Sequence, residues 1–545
     1  MKNSSLYFNK DSSVRYLSLF LLILVLATVA YVRIRLLTVP FERDEGEYAY
    51  MGQLLLKGIS PFQDAYTMKL PGVSIAYAIF MLLFGQTAAG IHLGLLVVNA
   101  TCILLVFILA RRLLDGEAAI ISCSSYAVLS LSQTVFGVFA HATHFVVLFA
   151  LGGFITLLYY LDRQKGAFCI FLSGLCFGLA FTMKQHAALL IVFAFLYLVW
   201  RCKAHIRSER TFFIISCSLF ILGIVIPYCL IIIWLSRAGT FYRFWFWTVQ
   251  YAKEYASGVS ISDGIANLHN YLIELKCELP LWLLALAGLL LLCTSNKTRT
   301  DRFFIFGFFI FSFLSICPRL QFTEHYFVIL LPSISLLIGF TFCSVSKRIA
   351  SCRSRLFLHY APLIIMTAAI GYGFYHEKEY FFTSTPLEVS YMTYFGSPFP
   401  EAVQVARYLK DHTLPTDRIA VLGSEPEIYF YADRLSATGY IYMYGLMENQ
   451  PYAERMQLDM IREIETTRPK YIVNVNFQTS WLVQQTSLPI LFDWEKHYVK
   501  TQYDLVGVVD FFTPNFIRYL WDDTIRGYSP VSDEYITVYK RKGAR

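Results

Sequence analysis

"FERDEGEYAYMGQLLLKGISPFQDAYTMKLPG", residues 41–72, places four carboxylates, Glu42, Asp44, Glu45 and Glu47, within seven residues and between two of the most apolar segments of the chain. Upstream, Leu17–Leu37 is an apolar run of about twenty residues, broken only by Arg33 and Arg35 near its end and long enough for a hydrocarbon layer of roughly 30 Å. It is too long for a signal peptide, and no small-residue cleavage site follows it. Over 545 residues the composition is 56% hydrophobic and 15% charged. Soluble chains average about 25% charged residues. The expectation is therefore a polytopic α-helical membrane protein, in which the acidic loop is an anomaly that needs a reason.

Further spans are expected near 73–110, 117–133, 145–161, 167–183, 187–200, 211–235, 279–294, 303–317, 326–345 and 356–375. Residues 73–110 are too long for one straight span and read as a juxtamembrane helix at 73–85 followed by a crossing that ends at Arg111, which gives about eleven crossings in all. Basic residues then fall in every second loop: Lys2, Lys10 and Arg15; Arg111 and Arg112; Arg163 and Lys165; Arg201, Lys203, Arg207 and Arg210; Lys297, Arg299 and Arg302; Lys347, Arg348, Arg353 and Arg355. Short cytoplasmic loops carry such an excess, so the N-terminus is expected inside and both the 41–72 loop and the C-terminus outside.

Charge divides at about residue 376. The tail 376–545 holds 17 Lys and Arg against 22 Asp and Glu, while the whole chain carries +8. "PEAVQVARYLKDH" and "PYAERMQLDMIREIE" have helical periodicity, and each is followed by a strand-like run, "RIAVLG" and "KYIVNVN". This predicts a transmembrane domain over 1–375, with an external loop at 39–72, and an external (periplasmic or extracellular) α/β domain over 376–545. All twelve cysteines precede residue 376 and read as small apolar packing residues. No phosphate-cradling glycine loop, dinucleotide fingerprint or HExxH motif appears, and the net charge reports topology rather than nucleic-acid binding.

If "RDEGEYAYMGQLLLKG" starts as a helix, Asp44, Glu47 and Tyr48 share a face and Glu45 points elsewhere. One reading is a solvated amphipathic helix on the membrane surface with Asp44 as its N-cap. The other is a site, because Lys69 follows close behind and Arg33 and Arg35 sit near the outer end of the first span. Ionisable groups at a membrane boundary are costly and mark function.

These residues resemble the first external loop of the GT-C superfamily of membrane glycosyltransferases, in the branch of the dolichyl-phosphate-mannose protein mannosyltransferases and the bacterial lipid A aminoarabinose transferases. An Asp-Glu pair, an amphipathic helix, Gly-x-x-Pro-aromatic-x-Asp and Lys-x-Pro run in order as Asp44, Glu45, Gly58, Pro61, Phe62, Asp64, Lys69 and Pro71. "FTMKQHAALLIV" and "EHYFVILLP" are similar to later external motifs of the family, and "FYRFWFWTVQYAKEYA" to an aromatic external loop of its bacterial members. The resemblance implies an inverting hexosyl- or pentosyltransferase of a bacterial inner membrane. It would move a sugar from a polyprenyl phosphate to a glycolipid, polysaccharide or protein acceptor on the outer side.

Within that frame Asp44 and Glu45 are the candidate catalytic residues, since an acceptor hydroxyl needs a base. Lys69, Lys184 and Arg33 or Arg35 are the candidate cations for the leaving phosphate. Tyr48, Asp64, His325 and Tyr326 complete the expected substrate-binding set. Lys184 could equally snorkel at a span end. His141, His144, His186 and His325 read as polar interface residues, and Glu254, Glu274 and Glu278 as solvated. No cofactor is indicated. Divalent-metal binding stays open, because Met68 stands where the aminoarabinose transferases have a metal-associated Glu. A secondary transporter is the alternative, although no repeated halves are visible.

Overall fold

The computed structural model describes residues 11–163, 166–203, 209–256, 258–294, 299–351, 360–513 and 516–544. Of the basic loop residues, Lys2, Lys10, Lys165, Arg207, Lys297, Arg353 and Arg355 lie outside these ranges. The chain forms two compact units, one made of residues up to 37, 92–231 and 259–384, the other of 38–91, 232–258 and residues from 385 onward.

Among the described residues, every apolar run read from the sequence holds a helix. They are α1 (Asp11–Arg35), then, after α2 (Arg43–Leu56), α3 (Gly72–Phe84), α4 (Ala88–Leu113), α5 (Gly116–Leu129), α6 (Ala142–Arg163), α7 (Ala167–Met183), α8 (Ala187–Cys202) and α9 (Arg210–Arg237). An amphipathic helix, α10 (Ile261–Glu274), precedes α11 (Leu279–Cys293), α12 (Arg299–Ile316), α13 (Leu331–Ser351) and α14 (Ala361–His376). The split expected within 73–110 is the break between α3 and α4. Among the described residues α1, α4, α6 and α9 are long and apolar enough to cross a membrane, and the bent pair α10–α11 passes the same test together. Within the first unit α7 and α9 approach closely through glycine. A β-carbon at Gly174 would lie 2.1 Å from the Phe220 carbonyl oxygen, and one at Gly223 2.4 Å from that of Phe171. Small residues allow such contact where no water drives helices together.

In the second unit the tail carries α15 (Phe399–Asp411), α16 (Glu427–Ala432), α17 (Ala453–Thr467) and α18 (Ile490–Gln502) around six strands. The strands are β1 (Arg418–Leu422), β2 (Leu435–Ser436), β3 (Tyr471–Asn476), β4 (Tyr503–Thr513), β5 (Phe516–Trp521) and β6 (Tyr535–Arg541), in the order β2-β1-β3-β6-β4-β5. β1 pairs in parallel with β2 and β3, and the β6-β4-β5 side is antiparallel. The two helix-then-strand patterns of the sequence are α15–β1 and α17–β3. The antiparallel half was not foreseen.

Glu401, in the first turn of α15, is fully buried and accepts a hydrogen bond from the Tyr391 hydroxyl. Burial lifts its carboxyl from 4.5 to about 7, against the lowering effect of that bond. Between these values only the folded chain keeps the proton. Its stabilising contribution is therefore complete below pH 4.5 and is lost as the pH rises through 7, about 3 kcal/mol in all. Glu401→Gln cannot ionise and should unfold at a higher temperature than wild type at pH 8 but not at pH 4.5. Tryptophan fluorescence melts of the purified protein test this, and an equal pH slope in both proteins would refute it.

Candidate active site

The acidic loop folds as the capped helix α2, but its cap is Glu42 and not Asp44. Glu42 has extended backbone (φ −82°, ψ 175°), and its two carboxylate oxygens accept from the N–H groups of Asp44 (2.9 Å) and Glu45 (2.8 Å). The longer side chain, one position before the helix, satisfies two of the donors left open at a helix start. Asp44 therefore lies inside the first turn, where its carboxylate meets Lys69.

Nor is α2 a solvated surface helix, since eleven of its fourteen residues are buried, among them Glu45 and Glu47. Within the second unit Gly52 lets α2 close on α3, where a β-carbon would lie 3.0 Å from the Ser74 carbonyl oxygen. Gly46 does the same against α16, with Glu427 Cβ at 2.7 Å.

The expected shared face is present, and Lys69 sits on it. Its ammonium bonds Asp44 Oδ1 at 2.5 Å and Glu47 Oε2, and lies 4.6 Å from the centre of the Tyr48 ring and 5.5 Å from that of Tyr442. Burial alone would lower the Lys69 ammonium, but Asp44 and Glu47 outweigh it and hold it well above its ordinary value. Burial pushes the Glu47 carboxyl up, against the pull of Lys69. Burial, then Asp44 and Glu45, pushes Glu42 up further. The two partners of Lys69 differ in access, because the Asp44 side chain is 16% exposed and that of Glu47 only 2%. Of the two, Asp44 is the more exposed carboxylate.

The rest of the loop is stitched to the tail. Asp64 pairs with Arg418 at 3.1 Å, Lys57 with Asp433 at 2.7 Å, and the Tyr66 N–H donates to the Gly439 carbonyl at 2.7 Å. Asp64, expected in the substrate set, is thus occupied by an arginine of β1. Behind α2, Arg43 is buried, pairs with buried Glu425 at 3.0 Å and donates to the Ser424 carbonyl and the Tyr444 hydroxyl, both at 2.6 Å. Tyr442, Arg43 and Glu425 join the site without a place in the sequence motif. Tyr442 and Glu425 lie far along the chain in stretches without a motif, whereas the signal for Arg43 was available, a cation beside three acids.

In the first unit the two later motifs meet. Lys184 Nζ lies 3.3 Å from His325 Nε2 and 4.2 Å from the centre of the Tyr326 ring, and His186 stacks obliquely on Tyr326 at 4.6 Å. His141 and His325 stack face to face at 4.1 Å, and His141, His144 and His325 are buried rather than at a wet interface. Arg33 is buried and donates to Asn99 Oδ1 and to the carbonyls of Ser130 and Gly137. Arg35 donates to the carbonyls of Tyr380, Phe381 and Ser384. Glu278, expected to be solvated, is buried and bonds the Ser132 hydroxyl.

A family model for dolichyl-phosphate-mannose-protein mannosyltransferase matches residues 69–234, a segment that includes Lys69 and Lys184 and leaves out Asp44, Glu45 and the tail. No curated protein matches the sequence. Among solved structures the chain is similar to ArnT from Cupriavidus metallidurans bound to undecaprenyl phosphate, at 12% identity and TM-score 0.58 over 96% of this chain and 97% of that one. It is similar to the oligosaccharyltransferase of Archaeoglobus fulgidus in the apo form, at 13% identity and TM-score 0.55 over 95% and 75%. The arabinofuranosyltransferase AftD from mycobacteria gives 11% and 0.53 over 96% and 40%. At such identities the likeness carries the fold. The chain is an integral membrane protein with the fold of the GT-C glycosyltransferases and a match to their mannosyltransferase family model over residues 69–234.

Proposed function

We propose that this chain is an inverting glycosyltransferase that moves a sugar from a polyprenyl-phosphate donor to an envelope acceptor on the external face of the membrane. The observation that carries the reading is Asp44, a partly exposed carboxylate fixed by Lys69 on the first turn of a capped and otherwise buried helix. Undecaprenyl phosphate bound in the similar ArnT fold supports the class of donor. The chain would lie in a bacterial inner membrane with about eleven crossings and its N-terminus inside. The 39–72 loop and the residues after 375 would face outward.

In this reading the acceptor hydroxyl gives its proton to Asp44, and its oxygen attacks the anomeric carbon from the face opposite the phosphate. The bond from that carbon to the phosphate oxygen breaks, and the polyprenyl phosphate departs with the electron pair. Asp44 supplies the base because a hydroxyl is a poor nucleophile while protonated. Lys69 holds the carboxylate in place. Developing charge on the phosphate calls for a cation fixed beforehand. Arg33 and Arg35 are engaged with backbone carbonyls, and the role is assigned to Lys184, whose ammonium lies beside the His325 imidazole and the Tyr326 ring.

Purified protein should transfer sugar from a polyprenyl-phosphate donor without added nucleotide. Lys69→Ala and Lys184→Ala should each lower turnover by at least tenfold, whereas exposed Lys253→Ala should not. Transfer from a nucleotide sugar alone, or an active Lys69→Ala/Lys184→Ala double variant, would refute the proposal.

A further inference from the structure

The first unit holds an open cavity of about 280 Å³ between α10 and residues 321–324. That is just below the roughly 300–1,000 Å³ found for pockets that take drug-sized ligands. One wall follows from helical periodicity. Asn267, Asn270, Tyr271 and Glu274 stand at i, i+3, i+4 and i+7 and share one face of α10. The other face, Ile261, Ile265, Leu268 and Leu272, is apolar, yet Ile261 is 75% and Ile265 67% exposed. A helix in water turns its apolar face inward, but α10 keeps its polar face for the cavity and leaves the apolar one outside. α10 bends by 112° into the apolar helix α11, which suits a helix lying in the membrane surface with lipid against its apolar side.

The opposite wall is strained backbone. Arg319, Leu320 and Phe322 have φ of 63°, 53° and 50°, a left-handed region that non-glycine residues seldom enter. The turn is held by Asn267 Nδ2, which donates to the Leu320 carbonyl at 3.2 Å, and by Leu320 packed on Gly264, where a β-carbon would lie 2.6 Å from Leu320 Cβ. Strain of this kind persists only where the surroundings enforce it, and it gathers at ligand sites.

The turn brings Gln321, Thr323 and Glu324 to face the amides and carboxylate of α10, with the Phe322 ring among them. Both charged lining residues, Glu274 and Glu324, are acidic. Burial, and after it Glu274, lifts the Glu324 carboxyl above its ordinary value. Such a wall repels phosphate and other anions. Amides and carboxylates side by side suit hydroxyl groups, which donate to the carboxylates and accept from the amide N–H groups.

We infer that this cavity binds a neutral, hydroxyl-rich saccharide. Its use as the resting place of the acceptor glycan rests on the glycosyltransferase reading, but saccharide binding itself does not. Full-length protein in lipid nanodiscs should transfer saturation in difference NMR to methyl α-D-mannoside or methyl β-D-galactoside, and at least fivefold less to methyl α-D-glucuronide. Asn270→Ala/Gln321→Ala should lower the neutral signal at least fivefold, and the nearly isosteric Thr323→Val should lower it with little risk to folding. In a transfer assay the double variant should raise acceptor KM about tenfold, the scale of two lost hydrogen bonds, with kcat unchanged. Equal signals from wild type and both variants, or a preference for the glucuronide, would overturn the inference. The NMR arm needs no turnover, so absent transfer would count against the proposed reaction alone.

Discussion

Asp44→Asn is expected to lose about 10²–10⁴ of transfer activity, the range for removing a general base, with little change in KM. Asparagine keeps the shape of the side chain, and its amide oxygen can still accept from Lys69, so helix α2 and its Glu42 cap should remain. What it cannot do is take the acceptor's proton. Glu47→Gln should cost less, because that side chain is 2% exposed and meets Lys69 rather than a substrate. Glu45→Gln should impair transfer through the packing of α2. The measurement is initial rate against donor and acceptor concentration at several pH values. Near-normal turnover of Asp44→Asn across them would remove Asp44 from the mechanism.

Arg43→Met should destabilise the protein by about 3–5 kcal/mol, because it leaves the Glu425 carboxylate buried without its partner. Burial already raises Glu425 above the ordinary carboxylate range, with Arg43 and the Ser480 hydroxyl holding it down. Without Arg43 that balance tips toward protonation or unfolding. The double change Arg43→Met/Glu425→Leu removes both charges and should recover most of the loss. Thermal melts of the four proteins form the cycle, and additive losses would show that the pair is not coupled.

The sequence by itself determined what depends on near neighbours. Hydropathy located each apolar helix. The i, i+3, i+4 rule put Asp44, Glu47 and Tyr48 on one face, where Lys69 now bridges them, and two periodic stretches became α15 and α17 beside β1 and β3. These are local quantities, fixed by a few residues on either side. Only the tertiary structure decided which groups meet after the chain has travelled and returned. It seated Arg43 on Glu425, brought Tyr442 over Lys69, set Lys184 beside His325, and buried Glu278 at Ser132. Burial in turn separated two carboxylates of the same face. Asp44 and Glu47 look alike along the helix, but the packing around α2 leaves Asp44 partly exposed and encloses Glu47, and no periodicity encodes the neighbours that do so.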